Sequence, residues 1–219
     1  MLQYRRKHDA RLTVIKVLFF DIGYTLVNED AAWDKRCEIQ AATEEAKALG
    51  LSAKKIFREL ENASAARLSP YKTFIGKFNL QKIPYCHDLE TLYRDTERIL
   101  KTLAGKYELG IIANQSDGLC DRLKSFNILQ YLTHVVSSYD VKVAKPDIRI
   151  FEYALNLADC LPCEAVMIGD RLDNDIEPAK AVGMKTVWIK HGFGRFQTPI
   201  PHNEPDYIID ELSELSEIF

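Results

Sequence analysis

The sequence predicts an α/β protein: an open parallel sheet with helices on both faces, interrupted near its start by a helical insert. Three features of the pattern lead there. Short apolar runs of strand length recur at Val14–Phe20, Leu109–Ala113, His134–Ser137, Ala165–Ile168, Thr186–Ile189 and Tyr207–Ile209. The later runs alternate with single helical patterns, as right-handed parallel βαβ units do. Between the first two runs lie roughly sixty residues of helical pattern, too long for a plain crossover.

The first run stops at Asp21, and Gly23 follows two places later. The insert opens at Asn28. Glu29–Leu49 reads as one long helix closed by Gly50, and Ser52 is placed to N-cap a second helix running through Ser64. Ser69–Pro84 carries Tyr71, Phe74 and Phe78 among polar residues, and a further helix is predicted from Asp88 to Leu103. The expected division is a core of residues 1–27 and 92–219 with an insert of residues 28–91. In the core, Phe151, Ala154, Leu155 and Ala158 share one face of a helix beginning near Pro146. A shorter helix over Glu177–Val182 has Pro178 near its start and Gly183 where a C-cap glycine belongs.

Composition narrows the function. With 219 residues, 47% of them hydrophobic, the chain can bury a full core. A net charge of −3 and a pI near 6.0 lack the basic surplus of a nucleic-acid face. Arg5-Arg6-Lys7 before an apolar run imitates a signal peptide, but the run contains Lys16 and reaches Asp21 with no small-residue cleavage site. No stretch approaches the ~20 apolar residues of a membrane span. A soluble, cytoplasmic protein is expected. The five cysteines agree, being an odd number in a chain too large to need stapling. Cys160 and Cys163 have CxxC spacing but no second pair to complete a zinc site, so they read as thiols in a connecting loop. The histidines (His8, His87, His134, His191, His202) show no metal-ligand spacing.

In an open parallel sheet, ligands bind beyond the carboxyl ends of the strands, where strand order reverses. The first strand ends on Asp21, the second on Asn114-Gln115-Ser116, and the fourth on Gly169-Asp170, while Lys145-Pro146 opens the helix after the third. Asp21, Asp170 and Lys145 are therefore expected to converge on one crevice. Paired carboxylates repel unless a cation sits between them, and hard oxygen ligands suit Mg2+. A lysine beside them adds a point charge suited to a phosphate.

In this ordered combination the chain resembles the haloacid dehalogenase superfamily over nearly its whole length. The family's first motif, DxDxT, aligns with Asp21-Ile22-Gly23-Tyr24-Thr25, and its second falls at Leu109–Ala113 followed by Asn114. Its third, a lysine before a helix, is Lys145. Its fourth, GDxxxxD, is Gly169 to Asp175 within VMIGDRLDNDIEPAKAVGMKTVWI, the most specific part. The insert corresponds to the helical C1 cap. The resemblance implies a Rossmann-like, doubly wound core and a Mg2+-dependent hydrolysis of a small phosphorylated substrate through an aspartyl-phosphate. It makes Asp21 the nucleophile, gives Lys145 charge balance and gives Thr25 support of the loop. Mg2+ is expected at Asp21, the Gly23 carbonyl and Asp170, with Asp175 in support.

Two positions depart from the family. Gly23 stands where an aspartate normally protonates the leaving oxygen, and such a loss typically costs ~10²–10⁴ in rate. Restoring an aspartate there is expected to raise turnover of alkyl phosphates selectively, unless another residue, Glu29 or His191, supplies the proton. Ala113 replaces a hydroxyl that binds phosphate, leaving the backbone N–H groups of Asn114 and Gln115, or the side chains of Asn114, Gln115 and Ser116, to take its place. The alternatives to a phosphatase are a protein of this fold that binds a phosphorylated ligand or a protein partner with little turnover, and a metal-free dehalogenase. The latter is disfavoured by Gly23 and the acidic fourth motif. Trp33, Tyr71, Lys72 and Phe74 of the insert are candidates to face the crevice. The insert is expected to move as a lid, hinged near Val27–Asn28 and Thr91–Arg94. Neither the substrate nor an oligomeric state is legible.

Overall fold

The computed structural model describes residues 14–219; Arg5-Arg6-Lys7 and His8 lie outside the described residues. Among those described, strand β1 (Val17–Phe20) lies at the centre of a six-stranded parallel sheet. Two short strands of the insert, β2 (Val27–Asn28) and β3 (Thr91–Leu92), pair separately and antiparallel. The remaining sheet strands are β4 (Glu108–Ala113), β5 (His134–Ser137), β6 (Ala165–Gly169), β7 (Lys185–Ile189) and β8 (Tyr207–Ile209). Their order is β5-β4-β1-β6-β7-β8. The chain steps outward from β1 to β4 and β5, then returns across β1 to β6, so strand order reverses at β1.

The apolar run of β1 is unbroken because both of its faces are covered. Val17 and Phe19 pack with Ile150, Phe151 and Met167 on one side; Leu18 and Phe20 pack with Ile99, Leu100 and Leu103 on the other. The strand starts at Val17 rather than Val14, which is exposed. Lys16 already joins the ladder through its backbone N–H to the Glu164 carbonyl, and its ammonium pairs with the Glu164 carboxylate at 2.9 Å.

The insert contains helices α1 (Asp30–Ala41), α2 (Glu44–Ala48), α3 (Ala53–Ala65) and α4 (Pro70–Phe78). The single long helix expected from Glu29 to Leu49 is two helices. Thr43 adopts an extended conformation and its hydroxyl accepts from the Ala46 N–H, so a threonine that competes for the backbone restarts the helix. Gly50 (φ +62°) follows α2, and Ser52 caps α3 through the Lys55 N–H. The helix expected from Asp88 is also corrected. A short turn at His87–Leu89 and the strand β3 come first, and α5 runs only from Thr96 to Ala104. Its start is set by the Thr96 hydroxyl, which donates to the Leu26 carbonyl and ties α5 to the crossing chain.

The core continues with α6 (Leu119–Ser125), α7 (Ser138–Val141), α8 (Arg149–Leu157) and α9 (Glu177–Ala181). Pro178 lies in the first turn of α9, and Gly183 takes φ +94° behind it. Cys160 and Cys163 sit between α8 and β6 as free thiols. Among the described residues no helix is long and apolar enough to cross a membrane.

Candidate active site

β1 and β6 are neighbours in parallel register, so the residues just past them, Asp21 and Asp170, emerge at the same end of the sheet. The backbone N–H of Asp21 still bonds the Ile168 carbonyl at 2.9 Å, which fixes where its side chain begins. Beyond Asp170 the chain turns through one π-helical turn, Leu172–Ile176, carrying Asp175 back beneath the strand end. Gly169 makes this approach possible, because a Cβ there would lie 2.5 Å from the Asp175 Cβ. Gly194 is required in the same way: its Cβ would lie 1.9 Å from the Asp170 carbonyl oxygen, which the Trp188 indole N–H holds at 2.6 Å.

Lys145 enters from the far side. Asn114, just past β4, clamps its backbone with two hydrogen bonds, Nδ2 donating to the Lys145 carbonyl and Oδ1 accepting from its N–H, each at 2.8 Å. The Lys145 ammonium, fully buried, donates to Asp21 Oδ1 at 2.7 Å and to Asp175 Oδ1 at 2.5 Å. Asp175 Oδ2 accepts from the Arg171 N–H at 3.0 Å.

Asp21, Asp170 and Asp175 each offer an oxygen within 4.8 Å of the others. Burial, reinforced by the charges of Asp175 and Asp21, holds the Asp170 carboxyl well above the usual carboxylate range. Burial likewise pushes Asp175 up to about 6, with Lys145 pulling against it and Asp21 adding to the rise. Burial also works against the Lys145 charge, but Asp175 and Asp21 outweigh it and leave the ammonium harder to deprotonate than a free lysine. One lysine does not neutralise three carboxylates. A cluster of hard oxygen donors with a charge deficit is what a divalent cation fits.

The loop after Asp21 is closed by backbone bonds, Tyr24 N–H to Val27 at 2.8 Å and Leu26 N–H to Ile22 at 2.9 Å, with Tyr24 at φ +55°. Thr25 is fully buried, yet among the described residues its hydroxyl has no hydrogen-bond partner, so its support of the loop comes from packing. The expected phosphate donors are largely engaged elsewhere. The Asn114 side chain is spent on Lys145, the Gln115 N–H donates to the Ser138 hydroxyl at 3.1 Å, and Gln115 Oε1 accepts from Arg122 at 2.6 Å. Ala113 is fully buried at the end of β4, and Ser116 lines the cleft.

The cleft above the cluster measures about 1170 Å3 and lies between core and insert. Trp33, Tyr71 and Lys72 line it as expected, whereas Phe74 is buried in the core of the insert against Tyr71 and Phe78. Sequence reasoning missed Arg36, whose guanidinium stacks 3.5 Å over the Tyr71 ring and donates to the Ile83 carbonyl. It also missed Phe193, which the core sends up among the insert's aromatics, 5.2 Å from the Trp33 ring. Ser64 bonds the Phe193 carbonyl at 2.8 Å and Arg67 pairs with Glu177, fastening α3 to the core.

Gly23 does not border empty space. A Cβ built on it would lie 2.5 Å from Glu29 Oε1 and 2.8 Å from Glu29 Cδ. The room that an aspartate at position 23 needs is taken by the Glu29 carboxyl, which corrects the expectation that restoring one would simply add an acid. Burial pushes Glu29 up to about 7; the Trp33 N–H bond at 2.9 Å opposes the rise, while Glu90 and Asp21 add to it. His191, the other proton source considered, has its two ring nitrogens against the carbonyls of Tyr24 and Asp210, at 3.2 and 2.8 Å.

A family model described as haloacid dehalogenase-like hydrolase matches residues 18–189. The chain is 29% identical to the glyceraldehyde 3-phosphate phosphatase of Methanopyrus kandleri, over 94% of this chain and 97% of that one. Over 99 residues it is 39% identical to the glyceraldehyde 3-phosphate phosphatase of Pyrococcus furiosus, a match spanning 45% of this chain and 41% of that one. Among solved structures, a HAD phosphatase from Thermococcus onnurineus superposes with a TM-score of 0.65 at 27% identity, covering 93% of this chain and 97% of the other.

Proposed function

Since the chain belongs to the haloacid dehalogenase-like hydrolases, we propose that it is a Mg2+-dependent phosphatase that cleaves a small phosphorylated metabolite through an aspartyl-phosphate on Asp21. The observation that carries this reading is the cluster of three carboxylates and one buried lysine at the ends of β1 and β6. Asp21 is the nucleophile. Lys145 holds one of its oxygens, which aims the other, and Asn114 fixes Lys145 by its backbone. Asp21, Asp170 and the Gly23 carbonyl would hold Mg2+, with Asp175 supporting from beneath. The metal would neutralise nucleophile and phosphate so that two anions approach each other.

Dividing hydrolysis into attack by Asp21 and attack by water replaces one difficult displacement with two easier ones. Thr25 packs beneath the loop that carries Asp21. Phosphate recognition falls to Lys145, the Asn114 N–H and Ser116, since Gln115 is otherwise engaged. A small substrate suits a cleft roofed by the insert, and the similarity to glyceraldehyde 3-phosphate phosphatases supports that class. The insert, residues 28–91, acts as the lid, hinged at the β2–β3 pair where the chain leaves and re-enters the core. Five free cysteines suit a reducing, cytoplasmic setting.

Phosphate release from a panel of phosphorylated metabolites, with and without Mg2+, tests the proposal on wild type and Asp21→Asn. Turnover of at least one substrate that needs both Mg2+ and Asp21 is expected. No turnover of any member in Mg2+, or turnover undiminished in Asp21→Asn, contradicts it.

A further inference from the structure

An alkyl phosphate expels a strongly basic alkoxide, so its P–O bond breaks readily only beside a proton donor. Gly23 supplies none. Of the carboxyls lining the cleft, Asp21 and Asp170 belong to the cation cluster, and Asp173 is held by Arg171 at 2.5 Å and Gln197 at 2.7 Å. His87 lies 2.9 Å from the Arg122 guanidinium and 3.2 Å from Glu90. Glu29 remains, with no cationic partner within ion-pair distance among the described residues.

Its position is specific. Glu29 immediately precedes α1, and Trp33, one turn on, returns its indole N–H to Glu29 Oε2. The indole is itself wedged between the rings of Phe193 and Tyr85, at 5.2 and 5.3 Å. Oε1 is left facing Gly23, closest to where a side chain of residue 23 would begin. Adding any Cβ at residue 23 would drive this carboxyl away.

We propose that Glu29 is the general acid and base of the reaction, bringing from the insert the carboxyl that residue 23 does not carry. The assignment rests on the phosphatase reading of Asp21. In the first step an Asp21 oxygen bonds to phosphorus, the bond from phosphorus to the leaving oxygen breaks, and that oxygen takes the Glu29 proton to depart as an alcohol. In the second, the Glu29 carboxylate takes a proton from water as the water oxygen bonds to phosphorus. The bond to Asp21 breaks, inorganic phosphate leaves, and Glu29 is protonated again.

The test compares wild type, Glu29→Gln and Asp21→Asn on p-nitrophenyl phosphate, whose leaving group departs without a proton, and on glycerol 3-phosphate, whose leaving group needs one. Rapid mixing separates the first turnover from the steady state. Glu29→Gln is expected to release about one equivalent of nitrophenolate at the wild-type rate and then slow by ~10²–10⁴-fold, because only the second step needs the base. With glycerol 3-phosphate its first turnover itself slows by a similar factor. In a second variant, Gly23→Asp combined with Glu29→Ala, glycerol 3-phosphate turnover is expected to exceed that of Glu29→Ala alone. A Glu29→Gln rate on glycerol 3-phosphate within a few-fold of wild type overturns the inference alone. So does an equal loss of the first turnover on both substrates, the mark of a merely structural role. Activity that survives Asp21→Asn overturns the phosphatase reading, and the inference with it.

Discussion

Replacing Lys145 with methionine probes the electrostatic balance of the site. Methionine keeps most of the side-chain volume, so the change removes charge more than packing. The lysine is fully buried and bonded to both Asp21 and Asp175, at 2.7 and 2.5 Å. Removing one partner of a buried ion pair costs about 3–5 kcal/mol, since the remaining charges are left without compensation. For a chain of this size each kcal/mol shifts Tm by about 2–4 °C, so Lys145→Met is expected to lose roughly 6–20 °C without metal. Added Mg2+ supplies positive charge to the same carboxylates, so it is expected to raise Tm more in Lys145→Met than in wild type. Thermal unfolding of both proteins in chelator and in Mg2+ measures the two shifts. A variant as stable as wild type in chelator would refute this charge balance. An equal Mg2+ shift in both proteins would refute the idea that metal and lysine answer the same carboxylates.

Asp170→Ala is expected to abolish most of the Mg2+ affinity seen by calorimetric titration; equal affinity in the two proteins would remove the metal site from the ends of β1 and β6. Gly194→Ala puts a methyl group 1.9 Å from a carbonyl oxygen held by Trp188, so it is expected to destabilise the fold by roughly 1–3 kcal/mol or more and to weaken Mg2+ binding by displacing Asp170. Wild-type stability and affinity in that variant would show that the backbone there yields easily.

The sheet and its strand-end carboxylates were legible because burial on both faces leaves little choice of residue. A strand such as Val17–Phe20 must be apolar throughout, so the first carboxylate after it marks the sheet's edge. The lysine and the fourth motif were legible from their order along the chain. The insert's details were not. Thr43 breaks a helix through one side-chain bond inside a pattern that reads as continuous, and the two-residue strands β2 and β3 are too short to show any period. The contacts of Gln115 were not legible because the groups that engage it, Ser138 and Arg122, come from other segments. Gly23 looked like a loss for a similar reason. The turn at Tyr24 and the start of α1 fold Glu29 back onto it, a meeting that no spacing rule announces.

The central claim is that phosphoryl groups pass through Asp21. Rapid acid quenching during turnover of p-nitrophenyl phosphate, followed by peptide mapping, tests it most directly. The account predicts a phosphoryl group on Asp21 that requires Mg2+ and is absent from Asp21→Asn. Phosphate release with no phosphorylated protein intermediate, or a phosphoryl group on any other residue, would contradict it.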